Sequence, residues 1–428
     1  MLSYPDQLEI VPKRVVDARR SVPGSKSLTN RAFVVAALAT GRSVLHDVLI
    51  AEDSEVMIGA LRQLDFSVTL TGITATVEGR AGAIPADAAT LDLRLSGTSI
   101  RFLTALVALG RGDYRLDGTA RMRERPIGDL LAALSELGAS VGTELGNDCP
   151  PVIVRADGLG GGAATIAGGR SSQYLSALLM AAPYARNPVT LRVEGVLQSK
   201  PFIDMTIELM RDFGVDVVRE GYERFEIAPG VYQAREYAVE GDAMAAGYLW
   251  AAAAVTGGRV TVTNLGEGSS QGDKRLADVL GSMGCSVGWS EHEVAVAAPA
   301  DGVLRGGRFD LNDMPDQAQT LAVVALFADR PVRIDNIWNL RIKETDRLRA
   351  LATELRKFGT EVTEGDDYIV VNPLETPPPG RVIVDSYGDH RMAMAFALAG
   401  LRLPGVVIDN PACVAKTFPD FFRVLADL

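Results

Sequence analysis

Six short polar or charged clusters each stand directly ahead of an Ala-rich apolar run, and their residue types suit anion binding. The clusters are Gly24-Ser25-Lys26-Ser27, Ser96-Gly97-Thr98, Arg170-Ser171-Ser172-Gln173, Gly241-Asp242, Met314-Pro315-Asp316-Gln317 and Gly388-Asp389-His390-Arg391. A helix that begins at such a cluster directs unpaired backbone N–H groups and a partial positive charge toward it. Lys26 and Arg391 add full charges, and the serines add hydroxyl donors. The clusters therefore predict a site for a multiply anionic small molecule.

Basic residues also follow the predicted strand ends, where sites in α/β proteins collect. These segments are Arg121–Pro126, Asn339–Arg347 and Lys416–Pro419. A plainer interpretation is a capped, solvated helix start, because Ser and Asp are common N-caps and charge runs usually face water. Taken by itself, Asp316 fits the role of a helix N-cap. A single histidine such as His390 is more often structural than catalytic.

The elements that must position these groups repeat six times. Each copy is an Ala-rich helix, a Gly, Arg or Pro turn, and a short strand that ends in Asp, Asn or Glu. The copies are Ala32–Asp47, Phe102–Asp117, Leu178–Glu194, Leu249–Asn264, Leu321–Asn336 and Met394–Asn410. A second pattern, a helix that closes on Gly before a Val-containing strand, alternates with the first. Its copies are Leu134–Val141, Met210–Val217, Leu280–Val287 and Leu355–Val362, and Leu61–Val68 has Asp65 in place of the Gly.

The sixth copy ends before its last strand, and Leu8–Val11 is a strand with no helix before it. We therefore predict that the N-terminal strand completes the C-terminal repeat. The fold class is then α/β (α+β), with two similar lobes of three repeats each, every repeat a strand, a helix, a strand, a helix and short strands, and a cleft between the lobes, where small molecules usually bind. Residues 1–20 with 240–428 form a discontinuous lobe, and residues 21–239 form an inserted lobe.

Composition narrows the class of protein. A net charge of −11 argues against general binding to nucleic acid or to anionic membranes. The N-terminal residues lack the pattern of a signal peptide, and no apolar run is long enough to span a bilayer. Three scattered cysteines and three histidines give neither a disulfide framework nor a metal-ligand spacing. We therefore expect a cytoplasmic protein with no metal site and with neither nucleic acid nor membrane as a partner.

Eight motifs in order give the chain a specific resemblance to a known family. They are Pro23-Gly24-Ser25-Lys26-Ser27 with Asn30-Arg31, Arg125-Pro126-Ile127-Gly128, Ser171-Ser172-Gln173-Tyr174, Ser199-Lys200-Pro201, Met314-Pro315-Asp316, Lys343-Glu344-Thr345-Asp346-Arg347-Leu348, Asp389-His390-Arg391-Met392-Ala393-Met394 and Ala415-Lys416-Thr417-Phe418-Pro419. Over essentially its full length the chain resembles the 5-enolpyruvylshikimate-3-phosphate (EPSP) synthase family. The resemblance implies the enolpyruvyl transferase fold, two lobes of three βαβαββ repeats each, which agrees with the repeat pattern.

The resemblance implies an activity and a set of reactants. Family members transfer the enolpyruvyl group of phosphoenolpyruvate to the 5-hydroxyl of shikimate 3-phosphate and release phosphate, in the shikimate pathway of aromatic amino acid biosynthesis. The resemblance implies no cofactor, neither metal nor organic. The expected partners are the two small-molecule substrates, and we expect a monomer, because one chain supplies both lobes. Glyphosate occupies the phosphoenolpyruvate site in this family.

The resemblance also assigns roles to residues of this chain. The implied catalytic residues are Asp316, Glu344 and Lys26, with Asp316 nearest the 5-hydroxyl and Glu344 nearest the methylene carbon. The implied phosphoenolpyruvate-binding residues are Lys26, Gly97, Arg125, Gln173, Arg347, His390, Arg391 and Lys416. The implied shikimate 3-phosphate-binding residues are Ser27, Arg31, Ser171, Ser172, Gln173, Ser199, Asp316, Asn339 and Lys343.

The chain departs from the family pattern at three places, which leaves alternatives open. Leu95 stands where Asn is common, Phe202 where Tyr is usual, and Ala243-Met244 where Ser-Ser is usual. A diverged paralogue that acts on a related cyclic substrate is one alternative. The others are the sister UDP-N-acetylglucosamine enolpyruvyl transferase, whose usual loop Cys is missing from Arg111–Arg125, and a non-catalytic anion-binding relative.

Overall fold

The structure, a computed structural model, describes residues 4–428. The chain forms two compact units. The discontinuous unit contains the described residues up to Pro23 together with Glu240–Leu428, and the continuous unit is Gly24–Val239. The lobe boundaries predicted from the sequence lie at 20/21 and 239/240, and the first three residues of the predicted discontinuous lobe lie outside the described part.

Short strands supply the sheets. The strands are β1 (Gln7–Glu9), β2 (Asp17–Arg20), β3 (Thr40–His46), β4 (Ser67–Thr71), β5 (Thr74–Arg80), β6 (Ala88–Asp92), β7 (Arg111–Asp117), β8 (Ser140–Thr143), β9 (Val152–Asp157), β10 (Gly162–Ala167), β11 (Val189–Glu194), β12 (Val218–Glu220), β13 (Arg224–Ile227), β14 (Glu236–Ala238), β15 (Arg259–Val262), β16 (Ser286–Trp289), β17 (Val294–Ala297), β18 (Gly307–Asp310), β19 (Val332–Asp335), β20 (Val362–Glu364), β21 (Ile369–Val371), β22 (Val382–Asp385) and β23 (Val406–Asp409).

Helices connect the strands, and those of the first pattern are almost wholly buried. The helices are α1 (Lys26–Leu38), α2 (Glu52–Gln63), α3 (Gly97–Val107), α4 (Gly128–Glu136), α5 (Ser172–Ala181), α6 (Pro201–Asp212), α7 (Ala243–Thr256), α8 (Leu276–Ser282), α9 (Ala318–Val324), α10 (Arg347–Arg356), α11 (His390–Arg402) and α12 (Phe421–Ala426). Every residue of α7 is buried, because small alanines let neighbouring helices approach closely.

Each unit contains three sheets with one recurring strand order. In the continuous unit the orders are β14-β3-β5-β4, β6-β7-β9-β8 and β10-β11-β13-β12. In the discontinuous unit they are β16-β17-β15-β2, β18-β19-β21-β20 and β1-β23-β22. In the complete copies two parallel strands, such as β6 and β7, adjoin an antiparallel pair, such as β9 and β8. The repeat is therefore βαβαββ.

Three of the six repeats are assembled from segments that are far apart in the sequence. Strand β1 pairs antiparallel with β23, so the N-terminal strand joins the sheet of the last repeat as predicted. Strand β2 pairs in parallel with β15, and β14 pairs in parallel with β3. The strand that precedes each crossover, β2 at the first and β14 at the second, thus takes the first position of a sheet in its own unit, which the repeat pattern did not reveal.

Several helices begin at side-chain N-caps and end at residues with positive φ, as their sequences predict. The Ser25, Ser171 and Asp389 side chains accept hydrogen bonds from the first turns of α1, α5 and α11. At the closing glycines of the second pattern φ is positive, as a left-handed cap requires. The values are 91° at Gly138, 87° at Gly214, 104° at Gly284 and 86° at Gly359. Asp65 adopts φ 62° in the copy without Gly, so the pattern holds there as well.

Candidate active site

Asp316 lies at the centre of a group of cations in the discontinuous unit. It occupies the 3-10 turn Pro315–Gln317 that leads into α9. Its Oδ1 atom is 3.0 Å from Arg347 Nη1 and 3.5 Å from Lys343 Nζ, and its Oδ2 atom is 3.0 Å from Arg391 Nη2. Asp316 is therefore more than a helix cap, since its carboxylate is held by side chains from two other elements.

Glu344 is the second carboxylate of this group. It lies between the 3-10 turn Trp338–Ile342 and α10, with 9% of its side chain exposed. Its Oε2 atom accepts from Arg347 Nη2 at 2.7 Å, and its Oε1 atom lies 3.0 Å from Lys416 Nζ. Each oxygen of Glu344 thus has its own cation.

Arg347 joins the two carboxylates. It begins α10, its side chain is 1% exposed, and its guanidinium contacts Asp316, Glu344 and Asp389. Arg347 Nε donates to Asp389 Oδ2 at 2.6 Å. Burial lowers the pKa of Arg347, but the three carboxylates more than offset this, so the pKa is raised. This guanidinium is permanently charged and fixes the spacing of Asp316 and Glu344.

Arg391 and Lys416 complete this site. Arg391 is the second residue of α11, and Lys416 ends the 3-10 turn Pro411–Lys416 after β23. Burial lowers the pKa of Arg391, but Asp316 and other nearby groups more than offset this, so the pKa is raised above its usual value. With Lys343 and Arg347, four cations lie around the three carboxylates of Asp316, Glu344 and Asp389.

Two predicted site residues of this unit lie outside the ion-pair network. His390 is fully buried, and neither ring nitrogen has a hydrogen-bond partner, with Nδ1 at 3.5 Å from Asp389 Oδ1. Burial, followed by the charge of Arg391, lowers the pKa of His390 well below its usual value, so the ring is neutral. Asn339 is 4% exposed, and its Oδ1 atom has no partner.

Asp273 is a further buried acid near this network. It lies in the 3-10 turn Gly272–Arg275 and is 7% exposed, with its Oδ1 atom unpartnered. Burial and then the charge of Asp316 raise the pKa of Asp273 to about 7. Sequence analysis did not single this residue out.

In the continuous unit, two guanidinium groups lie against the start of α3. Gly97 is the first residue of that helix. A Cβ atom there would lie 2.7 Å from Arg125 Nη2 and 2.8 Å from Arg101 Nη1. Only glycine leaves room for both groups, which explains why Gly97 stands here. Arg125 follows the 3-10 turn Met122–Glu124 and is 5% exposed.

Arg101 is a residue that sequence analysis missed. It lies one turn after Gly97 on α3 and is 5% exposed. Its Nη1 atom donates to Gln173 Oε1 at 2.6 Å, and Gln173 Nε2 donates to Thr98 Oγ1 at 3.2 Å. Arg101 therefore orients Gln173, which the sequence predicts to be a substrate-binding residue. The sequence signal that could have identified Arg101 is a charged residue four positions after the glycine in a helix with no other charge.

Helices α1 and α5 position the other polar residues of this unit. Lys26 Nζ lies 3.4 Å from Asp53 Oδ2, and Ser27 follows it in the first turn of α1. Ser171 caps α5, and Ser172 is its first residue. Ser199 is 6% exposed and adopts φ 57° just before α6.

Arg31 is 1% exposed and has four of its five N–H groups committed within the same unit. Its Nε donates to Thr206 Oγ1 at 2.8 Å, and Nη2 donates to Ser176 Oγ at 3.1 Å. Burial lowers the pKa of Arg31 to about 9. The described structure therefore gives Arg31 an internal bridging position, in addition to the ligand role predicted for it.

The three departures from the family pattern have distinct structural settings. The main-chain carbonyl of Leu95 accepts from Arg125 Nη1 at 3.4 Å, so the backbone makes this contact whatever the side chain. The Phe202 ring lies 5.8 Å from the Arg31 guanidinium carbon. Ala243 and Met244 begin α7, which Asp242 caps.

Comparisons with known proteins bear on both units. The sequence profile of the family described as EPSP synthase (3-phosphoshikimate 1-carboxyvinyltransferase) matches residues 12–425. The chain belongs to the EPSP synthase family. A 3-phosphoshikimate 1-carboxyvinyltransferase of Nostoc punctiforme is 48% identical over 421 residues, covering 97% of this chain and 98% of the relative. One of Shewanella amazonensis is 45% identical over 428 residues, covering 99% of each chain.

A solved structure confirms the fold class. The EPSP synthase of Acinetobacter baumannii has a TM-score of 0.83, with 24% identity and 98% of each chain covered. The predicted two-lobe fold of an EPSP synthase is therefore confirmed. Among residues 4–428, no group of three or more His, Cys, Asp or Glu side chains is arranged to hold a metal ion. None of the described helices is long and apolar enough to cross a membrane.

Proposed function

We propose that this chain transfers the enolpyruvyl group of phosphoenolpyruvate to the 5-hydroxyl of shikimate 3-phosphate and releases phosphate. The observation that carries the proposal is one guanidinium, Arg347, that holds both Asp316 and Glu344. Two carboxyl groups fixed at one cation suit a reaction that removes one proton and delivers another. The names of the relatives support the same reaction.

The reaction has an addition half and an elimination half. In the addition, the 5-hydroxyl oxygen bonds to the substituted carbon of phosphoenolpyruvate, loses its proton, and the methylene carbon gains a proton to become a methyl group. In the elimination, the methyl group loses a proton, the double bond re-forms and phosphate departs with its bonding electrons. We assign the hydroxyl proton to Asp316 and the carbon proton to Glu344.

The cations of the discontinuous unit stabilise negative charge during these steps. We propose that Arg347, Arg391 and Lys416 bind phosphoenolpyruvate, because all three are buried and already paired with carboxylates in fixed positions. Fixed charges of this kind require little reorganisation as phosphate charge develops. His390, neutral and buried beside Arg391, stays a proposed binding residue, and Lys343 and Asn339 are proposed to contact shikimate 3-phosphate.

The continuous unit supplies further proposed contacts. Gly97, Arg125 and Gln173 are proposed to bind phosphoenolpyruvate through two guanidiniums and the N–H groups at the start of α3. The hydroxyl-bearing residues Ser27, Ser171, Ser172 and Ser199, together with Arg31 and Gln173, are proposed to bind shikimate 3-phosphate. Lys26 is proposed to protonate the departing phosphate as well as to bind it.

An acceptor comparison tests the proposed function. Purified protein is incubated with phosphoenolpyruvate and, in parallel, with shikimate 3-phosphate, shikimate or UDP-N-acetylglucosamine, and phosphate release is followed. Of the three acceptors, we expect only shikimate 3-phosphate to give phosphate release from phosphoenolpyruvate. Release with UDP-N-acetylglucosamine would establish the sister activity instead, and binding of both substrates without release would establish a non-catalytic relative.

A further inference from the structure

The residue directly after Asp316 has a buried amide that ties three chain segments together. Gln317 is fully buried. Its Nε2 atom donates to the Ala243 carbonyl at 3.4 Å and to the Asp273 carbonyl at 3.3 Å. Ala243 is the first residue of α7, and Asp273 lies in the turn Gly272–Arg275. The turn that carries Asp316 is therefore attached to two other elements through one side chain.

A glycine on α7 provides the space for this amide. A Cβ atom at Gly247 would lie 2.5 Å from Gln317 Nε2 and 2.7 Å from Gln317 Oε1. Glycine inside a helix is less favourable than alanine, and the rest of α7 is rich in alanine. Gly247 is therefore explained by the position of the Gln317 amide rather than by helix stability.

A second glutamine, Gln271, also holds the start of α7. The Ala243 amide N–H donates to Gln271 Oε1 at 3.1 Å, and Gln271 Nε2 donates to the Gly241 carbonyl at 2.7 Å. Both main-chain polar groups of Ala243 thus have hydrogen-bond partners, so the start of α7 is a fixed acceptor for the Gln317 amide.

We propose that Gln317 is a positioning residue for Asp316, and that Gly247 is required to admit its amide. The inference rests on the proposed function, in which Asp316 exchanges a proton with the substrate hydroxyl. The Gln317 amide donates to main-chain carbonyls of α7 and of the turn Gly272–Arg275, so its effect on Asp316 passes through the backbone of the turn that they share. A shift of the Asp316 carboxylate relative to Arg347 would reduce turnover more than substrate binding.

Three variants separate positioning from packing. Gln317→Ala removes the donor and leaves a gap, and Gln317→Glu keeps the shape but places an acceptor against two carbonyl oxygens. The double variant Gly247→Ala with Gln317→Ala refills the gap with a methyl group and provides no donor. Turnover number, both KM values and melting temperature are measured for each variant and for the unmodified protein.

We expect kcat to fall about 10-fold or more in all three variants, with both KM values within about 3-fold of the unmodified protein. The double variant should recover melting temperature relative to Gln317→Ala without recovering kcat. Recovery of kcat together with melting temperature, or unchanged kcat in Gln317→Glu, would overturn the inference. An unmodified protein that does not turn over would instead contradict the proposed function.

Discussion

At the scale of single residues, the arrangement around Arg347 explains how two carboxylates are kept close together in a buried site. Isolated buried carboxylates carry a desolvation penalty of several kcal/mol each. Arg347 is shared by Asp316, Glu344 and Asp389, and Lys416 and Arg391 complete the pairing. The carboxylates are therefore fixed in position by the same charges that we propose to bind phosphoenolpyruvate.

Removal of the acid function of Glu344 tests its proposed role. Glu344→Gln keeps the size of the side chain but can neither take up nor deliver a proton. We expect turnover to fall by about 100-fold or more, the usual scale for the loss of a general acid or base. Phosphate release is the measurement, and Glu361→Gln, at an exposed glutamate ahead of β20, is the matched control. Near-normal turnover in Glu344→Gln would remove Glu344 from the mechanism.

Because His390 is neutral and buried, we expect the free energy of unfolding to depend on pH. Its pKa in the folded protein lies well below that of the unfolded chain, so below about pH 6.5 the unfolded chain binds the additional proton. His390 therefore destabilises the fold as pH falls, with a limiting slope of about 1.4 kcal/mol per pH unit, and has no effect above that range.

His390→Gln should remove this contribution. Urea unfolding between about pH 7 and about pH 5 should show a shallower loss of stability in the variant than in the unmodified protein. Equal slopes for the two proteins would mean that His390 is protonated in the folded state, contrary to the structure.

The sequence revealed the charged motifs at this scale but not all of their partners. Asp316, Glu344 and Arg347 belong to motifs with recognisable spacing, so they could be predicted as site residues. Arg101 and Gln317 could not, because their importance depends on contacts with Gln173 and Ala243, which are far away in the sequence. The burial of Arg31 was equally hidden, since it depends on Thr206 and Ser176.

At the scale of elements, the start of α3 is the proposed phosphoenolpyruvate contact of the continuous unit. Its first residue, Gly97, lies against the guanidinium groups of Arg125 and Arg101. The helix contributes N–H groups and a partial positive charge, and the arginines contribute full charges. The absence of a side chain at Gly97 is what permits this combination.

Gly97→Ala should therefore weaken phosphoenolpyruvate binding. The new methyl group must displace Arg125 or Arg101, and the loss of one charge-assisted hydrogen bond corresponds to a rise of about 10-fold in KM for phosphoenolpyruvate. Steady-state kinetics with each substrate varied in turn measure this effect. KM for shikimate 3-phosphate should rise by less, because that substrate meets the displaced groups only through Gln173, which Arg101 orients.

Gly59→Ala is the matched control, because a Cβ atom at Gly59 in α2 meets nothing within 4 Å. It should leave both KM values unchanged. An unchanged KM for phosphoenolpyruvate in Gly97→Ala would contradict the proposed role of the α3 start.

Element boundaries were predictable where local chemistry determines them. The closing glycines and Asp65 mark helix ends because left-handed φ values favour Gly and Asp. The caps at Ser25 and Ser171 follow from their hydroxyl groups. The 3-10 turns that carry Asp316, Asn339 and Lys416 were not predicted, since they depend on tertiary contacts more than on local preference.

At the scale of the whole molecule, six related sheets are built from one repeat, and the chain passes between the two units twice. The repeat pattern predicted units of alternating strands and helices and the pairing of β1 with the last repeat. It did not predict that β2 and β14, the strands that precede the two crossovers, supply the first strands of sheets in their own units, because three or four residues carry too little sequence signal. The family match over residues 12–425 agrees with this architecture.

The central claim is that Asp316 takes the proton of the substrate 5-hydroxyl, while Glu344 delivers a proton to the methylene carbon and later removes one from the methyl group. Turnover in deuterated water tests it most directly, because the methylene carbon becomes a methyl group before it loses a proton. We predict that the product made from phosphoenolpyruvate and shikimate 3-phosphate carries solvent deuterium on its methylene carbon, and that Glu344→Gln incorporates it at least about 100-fold more slowly. A product that forms at the normal rate without deuterium, or equal incorporation by Glu344→Gln, would contradict the account.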